Sequence, residues 1–236
     1  MIARRCLLVV GAVVVLATAL CGPTPRAVAA HCSDVAVVFA RGTQETFAPL
    51  GATGKSFVET LRLRLPGKSV HGYAVTYPAS ADFANRARIA RGVIAGVEDA
   101  QRRIRSISTS CPRTKIVLGG YSQGAVVASY AASKGIAIPR NYARYGVQIP
   151  SPMPVSVAPH LAAIVLFAAP SPRWISDIGA PPITIGPIYA AKTTRYCIPG
   201  DVVCDGAPVG TPNGLHVLYA VNGMNVQAAD YVAARI

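Results

Sequence analysis

The 236-residue sequence is poor in acidic residues and in charge overall. It has ten Asp and Glu against 23 Lys and Arg, which gives a formal net charge of +13. Charged residues make up 14% of the chain and hydrophobic residues 52%, a composition that excludes a disordered protein. The arginines concentrate in residues 86–105 without interleaved aromatics, so a solvated helix face explains them better than a nucleic-acid groove. We expect one globular domain and no nucleic-acid partner.

No apolar run in the N-terminal region reaches the roughly 20 residues that span a bilayer. Arg4 and Arg5 precede an apolar run over residues 7–20, and small residues follow at 27–30. This order is typical of a secretory signal peptide, which we predict over residues 1–30. An uncleaved membrane anchor is the alternative.

Cleavage is predicted after Ala29 or Ala30, which leaves residues 31–236 as a single secreted, extracellular domain. A lipid anchor at Cys21 is a weaker alternative, because residues 18–20 form a poor lipoprotein motif. Cleavage removes three arginines and no acid, so the net charge falls from +13 to +10. A basic surface of this size favours anionic polymers or membranes, including association with the cell envelope or cell wall.

The predicted mature chain keeps four of the six cysteines, and an even number in an exported protein predicts two disulfides. Pairing Cys197 with Cys204 closes a short local loop and leaves Cys32 to pair with Cys111. Among the three pairings that four cysteines allow, we favour this one because no cysteine then has to cross the fold. No Cys-x-x-Cys pair or His cluster supports a metal site, so neither a metal nor a cofactor is predicted.

Strand and helix patterns alternate from residue 35 onward, which predicts an α/β fold. Apolar runs rich in β-branched residues indicate buried strands, and apolar spacings of three and four indicate helices. The Pro-rich segments 150–159 and 170–187 are interpreted as ordered loops. The predicted strands cover residues 35–40, 70–77, 115–120, 163–168 and 193–197, and the predicted helices include residues 55–65, 89–107, 122–133 and 222–236.

The run Gly120-Tyr121-Ser122-Gln123-Gly124 lies where a predicted strand meets a predicted helix. A Gly-x-Ser-x-Gly motif in this setting holds a serine hydroxyl at the carboxyl end of the sheet, and its glycines relieve crowding in the tight turn. The helix N-terminus also places backbone N–H groups beside the reacting oxygen. Ser122 is therefore the predicted nucleophile. A Gly-Ser turn in a loop is the alternative, and the flanking pattern speaks against it.

A serine nucleophile needs a basic histidine, which follows it in this type of fold. His160 directly precedes a predicted strand and so belongs to the amino end of the sheet. His216 lies in a Gly/Pro-rich loop that can reach the carboxyl end, and it is the predicted base. His31, His71 and His160 are interpreted as ordinary surface or core residues.

Three acids compete to orient the histidine. Asp201 follows a strand end and lies inside the predicted Cys197–Cys204 loop, which would hold its carboxylate in place, so it is the favoured candidate. Asp205 lies just outside that loop and is the second candidate, and Asp177 is the third.

An oxyanion hole in this fold uses the N–H of the residue after the nucleophile, here Gln123, and one from the loop after an early strand. Thr43 follows the strand 35–40 and is the natural second donor. A plain turn containing Gly42 explains the same residues equally well.

Several motifs together resemble the cutinase family of serine esterases, which includes fungal cutinases, acetylxylan esterases and bacterial cutinase-like proteins. They are Cys32, residues 39–45 (Phe-Ala-Arg-Gly-Thr-Gln-Glu), 119–125 (Gly-Gly-Tyr-Ser-Gln-Gly-Ala), 197–204 (Cys-Ile-Pro-Gly-Asp-Val-Val-Cys) and His216.

This resemblance covers nearly all of the predicted mature chain. It implies a triad of Ser122, Asp201 and His216, an oxyanion hole of Thr43 and Gln123, and both disulfides. Thr43 stands where fungal cutinases commonly carry serine. Residues 147–160 and 183–189 match nothing in the family pattern.

The resemblance implies a small α/β-hydrolase: a three-layer sandwich with a central, mainly parallel sheet. The predicted mature chain of 206 residues leaves little length for a lid domain, so we expect a lidless fold. We expect a monomer that hydrolyses carboxylic esters of short to medium acyl chains, in cutin-like polyesters or lipids, through an acyl-enzyme. A slot lined by residues 183–189 is expected to favour acyl chains. The alternatives are an acetylxylan-type carbohydrate esterase, a non-catalytic envelope-associated binding protein and a peptidase, the last disfavoured because no charged specificity pocket is evident.

Overall fold

The computed structural model describes residues 32–45, 49–137, 140 and 149–236. The predicted signal peptide and its cleavage site lie outside the described residues. Residues 32–236 belong to one compact unit. Within the described part of the chain, no helix is both long and apolar enough to cross a membrane.

The described residues form a five-stranded sheet in which every pairing is parallel. The strand order β2-β1-β3-β4-β5 means that the chain proceeds outward from β1 in one direction and from β3 in the other. A crevice therefore opens between the carboxyl ends of β1 and β3, where ligands bind in open α/β sheets. The strands are β1 (Val35–Ala40), β2 (Val70–Ala74), β3 (Lys115–Tyr121), β4 (Leu161–Phe167) and β5 (Thr193–Tyr196).

Helices cover both faces of this sheet, which explains why β1 is apolar at every position. Val35, Val37 and Phe39 point into one core, and the alternate residues of β1 point into the other. The described α-helices are α1 (Gly51–Arg64), α2 (Arg86–Ser110), α3 (Gln123–Ala131), α4 (Pro172–Asp177), α5 (Pro187–Ala190) and α6 (Met224–Ala233). The α/β fold predicted from the alternation is confirmed, and so is the three-layer sandwich with a parallel sheet that the resemblance implied.

The Pro-rich segments, which were interpreted as ordered loops, also contain short helices. Proline occupies the first turn of both α4 and α5, where its restricted φ suits a helix and its missing N–H is not needed. Ser171 caps α4 by accepting a hydrogen bond from the N–H of Trp174 at 3.1 Å. A 3₁₀-helix, Val155–Val157, lies in the other segment.

Both predicted disulfides are present, Cys32–Cys111 and Cys197–Cys204. The first joins the residues before β1 to the end of α2. The second closes the loop that follows β5. Neither bond crosses the sheet, as the preferred pairing required.

Candidate active site

Ser122 forms the turn between β3 and α3 in a backbone conformation that is rare for a residue with a side chain. Its φ is 53° and its ψ is −118°, and such a conformation costs about 1–3 kcal/mol. The Ser122 N–H donates to the carbonyl of Phe167 on β4 at 3.0 Å, and its own carbonyl accepts from the N–H of Ala125 at 2.9 Å. The strained turn is therefore held from both sides.

Two glycines allow this turn to pack closely. A Cβ at Gly120 would lie 2.2 Å from the carbonyl oxygen of Gly124, and a Cβ at Gly124 would lie 2.0 Å from the carbonyl oxygen of Ala40. Because backbone atoms lie on the other side of each contact, neither clash could be relieved by turning a side chain. The start of α3 thus lies directly against the end of β1.

Gly124→Ala is expected to destabilise the protein by about 3 kcal/mol, because the new methyl group would push α3 away from β1. Urea denaturation of the purified protein measures the loss.

Gly92→Ala is the matched control. Gly92 lies inside α2, and an added Cβ would approach the Pro78 side chain no closer than 3.6 Å, so the same substitution should stabilise the protein by about 0.5–1 kcal/mol. Equal urea midpoints for the two variants would contradict the close contact between Gly124 and Ala40.

Three predicted residues from distant parts of the chain meet at the carboxyl end of the sheet. His216 Nε2 lies 2.9 Å from Ser122 Oγ, and His216 Nδ1 lies 2.9 Å from Asp201 Oδ2 and 3.1 Å from Oδ1. His216 and Asp201 are buried, while Ser122 is half-buried. A carboxylate beside Nδ1 favours the tautomer with hydrogen on Nδ1, which leaves Nε2 free to accept the serine proton.

His216 lies in a 3₁₀-helix, Gly214–Ala220, and not in the irregular loop that its Gly/Pro-rich surroundings predicted. The helix starts at Gly214, two residues before the histidine, so only Gly210 and Pro212 of the Gly/Pro-rich run precede it.

Burial and hydrogen bonding act on Asp201 in opposite directions. Burial by itself raises the pKa of the carboxyl, but hydrogen bonds from His216 and Tyr219 and from the N–H of Val203 lower it. The balance places the pKa of Asp201 below its ordinary value. The carboxylate is therefore ionised at neutral pH, as the orientation of an imidazole requires.

The two other candidate acids and His160 have their hydrogen-bond partners away from Ser122. Asp205 accepts from the N–H of Ala207 at 2.9 Å, and Asp177 accepts from the N–H of Val209 at 3.0 Å. The carbonyl of His160 pairs with the start of β3, at the amino end of the sheet.

The predicted oxyanion loop lies beside the nucleophile. A Cβ at Gly42 would lie 2.5 Å from the Tyr121 ring, so residues 41–45 pack against the residue that precedes Ser122. The N–H of Gln123 is the first of α3 and has no acceptor within its own helix. Thr43 and Gln123 thus lie on the two segments that flank Ser122.

Glu45 organises this loop, a role that the sequence analysis missed. Its carboxylate accepts from the N–H of Gly42 at 2.7 Å and from the N–H of Ala52 at 2.9 Å. These bonds join the loop to the start of α1, which begins at Gly51, four residues before the predicted start. The N-terminal capping group comes from outside the helix, so local sequence pattern did not reveal it.

Two tyrosines that the sequence analysis also missed surround the histidine. Tyr121 donates a hydrogen bond to the carbonyl of His216, and Tyr219 donates one to Asp201 Oδ2 at 2.7 Å. Tyr219 follows His216 by three residues, which places it on the same side of a 3₁₀-helix. The His-x-x-Tyr spacing is the signal that could have indicated it.

The expectation that residues 183–189 line the site was wrong. Ile185 pairs with Ser133, which follows the C-terminal end of α3, whereas Ser122 precedes the N-terminal end of that helix. Lys192 donates to the carbonyls of Ala158 and Leu161 at the start of β4. A segment that leads into a parallel strand must approach it from the amino end of the sheet. The segment therefore lies at the edge opposite to Ser122.

A different set of apolar side chains lies on the segments around Ser122. The loop 79–85 contacts the nucleophile turn, since Gln123 Nε2 donates to the carbonyl of Ser80 at 3.2 Å. Phe83 in this loop is 62% exposed, and Val217, next to the histidine, is 71% exposed.

The parallel sheet with helices on both faces, and a serine on the strand-to-helix turn after β3, define an α/β-hydrolase. The family model described as Cutinase matches residues 31–236. The chain therefore belongs to the cutinase family and is a carboxylic ester hydrolase by class.

Individual relatives agree with this assignment. The chain is 48% identical over 174 residues to "Probable carboxylesterase Culp7" of Mycobacterium tuberculosis, covering 72% of this chain and 86% of that protein. It is 40% identical over 238 residues to "Carboxylesterase Culp1" of the same species, covering 99% and 97%. Among solved structures, Trichoderma reesei cutinase in complex with a phosphonate inhibitor matches with a TM-score of 0.61 and 29% identity, covering 86% of this chain and 76% of that one.

Proposed function

We propose that this protein is a secreted, monomeric serine esterase that hydrolyses carboxylic esters through an acyl-enzyme on Ser122. The observation that carries the proposal is the continuous chain of short contacts from Ser122 Oγ through the buried His216 ring to the buried Asp201 carboxylate. A serine hydroxyl is a weak nucleophile unless a base takes its proton, and this arrangement supplies that base.

In the first step, Ser122 Oγ attacks the ester carbonyl while His216 Nε2 takes its proton. Asp201 holds the imidazole in the required tautomer and stabilises the imidazolium that forms. His216 then gives the proton to the leaving alcohol, and the acyl group remains on Ser122.

The backbone N–H groups of Thr43 and Gln123 receive the negative charge that develops on the carbonyl oxygen. Such donors already point at the position where the charge will develop, so they need no reorganisation during the reaction. Water, activated by the same histidine, releases the acyl group in the second step. No metal or cofactor has a part in this scheme.

The surroundings of Ser122 favour esters of short to medium acyl chains, as in lipids or cutin-like polyesters. Phe83 in the 79–85 loop and Val217 next to His216 are exposed, and both offer apolar surface to a chain. Secretion rests on the predicted signal peptide over residues 1–30.

A fluorophosphonate ester tests the proposed chemistry, because it reacts with an activated serine and mimics the tetrahedral intermediate. We expect intact-mass measurement to show one adduct per molecule, peptide mapping to place it on Ser122, and hydrolysis of p-nitrophenyl butyrate to stop in proportion. An unlabelled protein without hydrolysis of any ester would favour the non-catalytic, envelope-associated binding protein instead.

Phe83→Ser is expected to lower kcat/KM for p-nitrophenyl octanoate about five- to tenfold, because roughly 1 kcal/mol or more of apolar contact with the chain is lost. The acetate ester is too short to make this contact and should change less than twofold.

Leu63→Ser serves as the control. Leu63 is 79% exposed near the end of α1, at the edge of the sheet opposite to Ser122, so both esters should react as in the parent protein. A preference of the parent protein for acetylated sugars over octanoate would overturn the apolar-chain proposal and favour the carbohydrate esterase.

A further inference from the structure

We propose that Tyr219 is a positioning residue for the reaction. Its hydroxyl donates one hydrogen bond that holds the Asp201 carboxylate in place and stabilises its negative charge. This inference rests on the proposed function of Ser122, His216 and Asp201. Tyr219 touches neither the nucleophile nor any reacting atom, so it acts through the acid.

The direction of the hydrogen bond is determined by the surroundings of the Tyr219 hydroxyl. The side chain is fully buried. Its oxygen accepts from the backbone N–H of Ile198 at 2.9 Å, and Asp201 Oδ2 lies 2.7 Å away. The N–H can only donate, and the disulfide sulfur of Cys204, 3.3 Å away, is a much weaker acceptor than a carboxylate. The hydroxyl proton therefore points at Asp201 Oδ2.

Tyr219 completes the set of donors around Asp201. Oδ1 accepts from the N–H of Val203 at 3.1 Å, and both oxygens face Nδ1 of His216. Among the described residues, only His216 would still donate to Oδ2 without Tyr219. A buried carboxylate that loses a donor is less stabilised as an anion.

Two helices hold the backbone of Tyr219 in place. Its carbonyl accepts from Asn225 Nδ2 on α6 at 2.8 Å, and the same amide donates to Ser56 Oγ on α1 at 2.9 Å. Ser56 in turn donates to the carbonyl of Ala220 at 2.8 Å. The backbone of Tyr219 is thus placed by α1 and α6, while the N–H of Ile198, in the loop that carries Asp201, orients the hydroxyl.

Few ionisable groups of the described residues lie near the acid–histidine pair, so the effect of Tyr219 can be assigned. The Tyr121 ring lies 5.3 Å and the Tyr219 ring 6.4 Å from the His216 ring. Burial raises the pKa of both phenols, so both stay neutral in the working range of a histidine. The Cys204 sulfur near Asp201 belongs to a disulfide and does not titrate, and Glu45 acts on Tyr121 from the oxyanion loop.

Removing the hydroxyl should therefore have two measurable consequences. The carboxylate becomes less well oriented, so kcat falls about tenfold with KM within twofold. Without the hydrogen bond from Tyr219, the negative charge of the Asp201 carboxylate is also less stabilised, so the carboxylate attracts the protonated His216 ring more strongly. The acid limb of the pH profile of kcat/KM should therefore move up by about half a pH unit.

Tyr219→Phe tests these expectations, with Tyr189→Phe as the matched control. Tyr189 is also buried, but its hydroxyl finds no hydrogen-bond partner among the described residues, so its removal should leave kcat and the acid limb in place. A kcat loss in Tyr219→Phe without movement of the acid limb would reduce Tyr219 to a structural role and overturn the proposal.

A second variant keeps the ring and the fold intact. Incorporation of 3,5-difluorotyrosine at position 219 makes the phenol a stronger donor, so the acid limb should move down in pH, opposite to the phenylalanine variant. Shifts of the same sign in both variants would contradict the proposal, because only a hydrogen bond to the carboxylate predicts opposite signs.

The downfield proton resonance of the His216 Nδ1–H group gives a reading independent of turnover. In the Ser122→Ala background it should move when Tyr219 is changed and stay in place when Tyr189 is changed. An inactive parent protein would contradict the proposed function, whereas an unmoved resonance contradicts the positioning by Tyr219.

Discussion

Ser122→Ala is expected to lower kcat for p-nitrophenyl butyrate by roughly 10⁴- to 10⁶-fold, the range found when a serine hydrolase loses its nucleophile. The acyl-enzyme cannot form without Oγ, so the remaining rate comes from substrate binding and the N–H donors alone. Steady-state assays with extensively purified protein measure it, and the fluorophosphonate should no longer label the chain.

The double variant Ser122→Ala/His216→Ala is the sharpest control for this prediction. His216 accelerates the reaction only by acting on Ser122, so its removal should cost nothing once Ser122 is gone. The double variant should therefore be no slower than Ser122→Ala. A further drop of a hundredfold or more would show that His216 contributes by a route that does not pass through Ser122.

Asp201→Asn is expected to lower kcat by about 10⁴-fold. Asparagine has nearly the same shape, but its amide can donate to Nδ1 and so favour the tautomer with hydrogen on Nε2. The histidine could then no longer accept the serine proton. The folded structure should persist, since asparagine keeps one of the two oxygens that accept from Val203 and Tyr219 and so loses only part of these hydrogen bonds.

Asp205→Asn and Asp177→Asn are matched controls, because both carboxylates accept backbone hydrogen bonds away from the histidine. Each should keep kcat within about twofold of the parent protein, as surface substitutions away from special features usually do. A loss of 10³ or more in Asp205→Asn would transfer the orienting role to the second candidate.

The lowered pKa of Asp201 also predicts how stability depends on pH. Its ionised form is favoured in the folded protein, so this contribution is fully present above the unfolded pKa and is lost as pH falls through the folded pKa. The melting temperature of the parent protein should therefore fall more steeply in acid than that of Asp201→Asn. Parallel curves would contradict the lowered pKa.

The local sequence pattern predicted a structural feature correctly wherever a single segment contains all the residues that determine it. The apolar run of β1 is buried on both faces, and the turn at Ser122 follows directly from a strand, two glycines and a helix. Pattern was insufficient where a contact joins distant segments. Glu45 caps a helix from another loop, and Tyr219 reaches an acid 18 residues away.

The unmatched segments illustrate the same limit. Residues 183–189 are apolar, and apolarity alone suggested a place for an acyl chain. Their position became clear only from the direction of β5, because the parallel sheet sends every segment that precedes a strand to the amino edge.

The sequence by itself determined the α/β architecture, through its alternation of strand and helix patterns. Its motifs, with the family resemblance that they carry, also indicated the two disulfides and the three residues proposed for the triad. Only the tertiary structure decided which apolar side chains flank Ser122, how the 41–45 loop is held, and that Tyr219 completes the hydrogen bonds of Asp201. Those features depend on which segments the packed layers bring within hydrogen-bonding distance of each other, about 3 Å. No single stretch of the chain determines which segments meet.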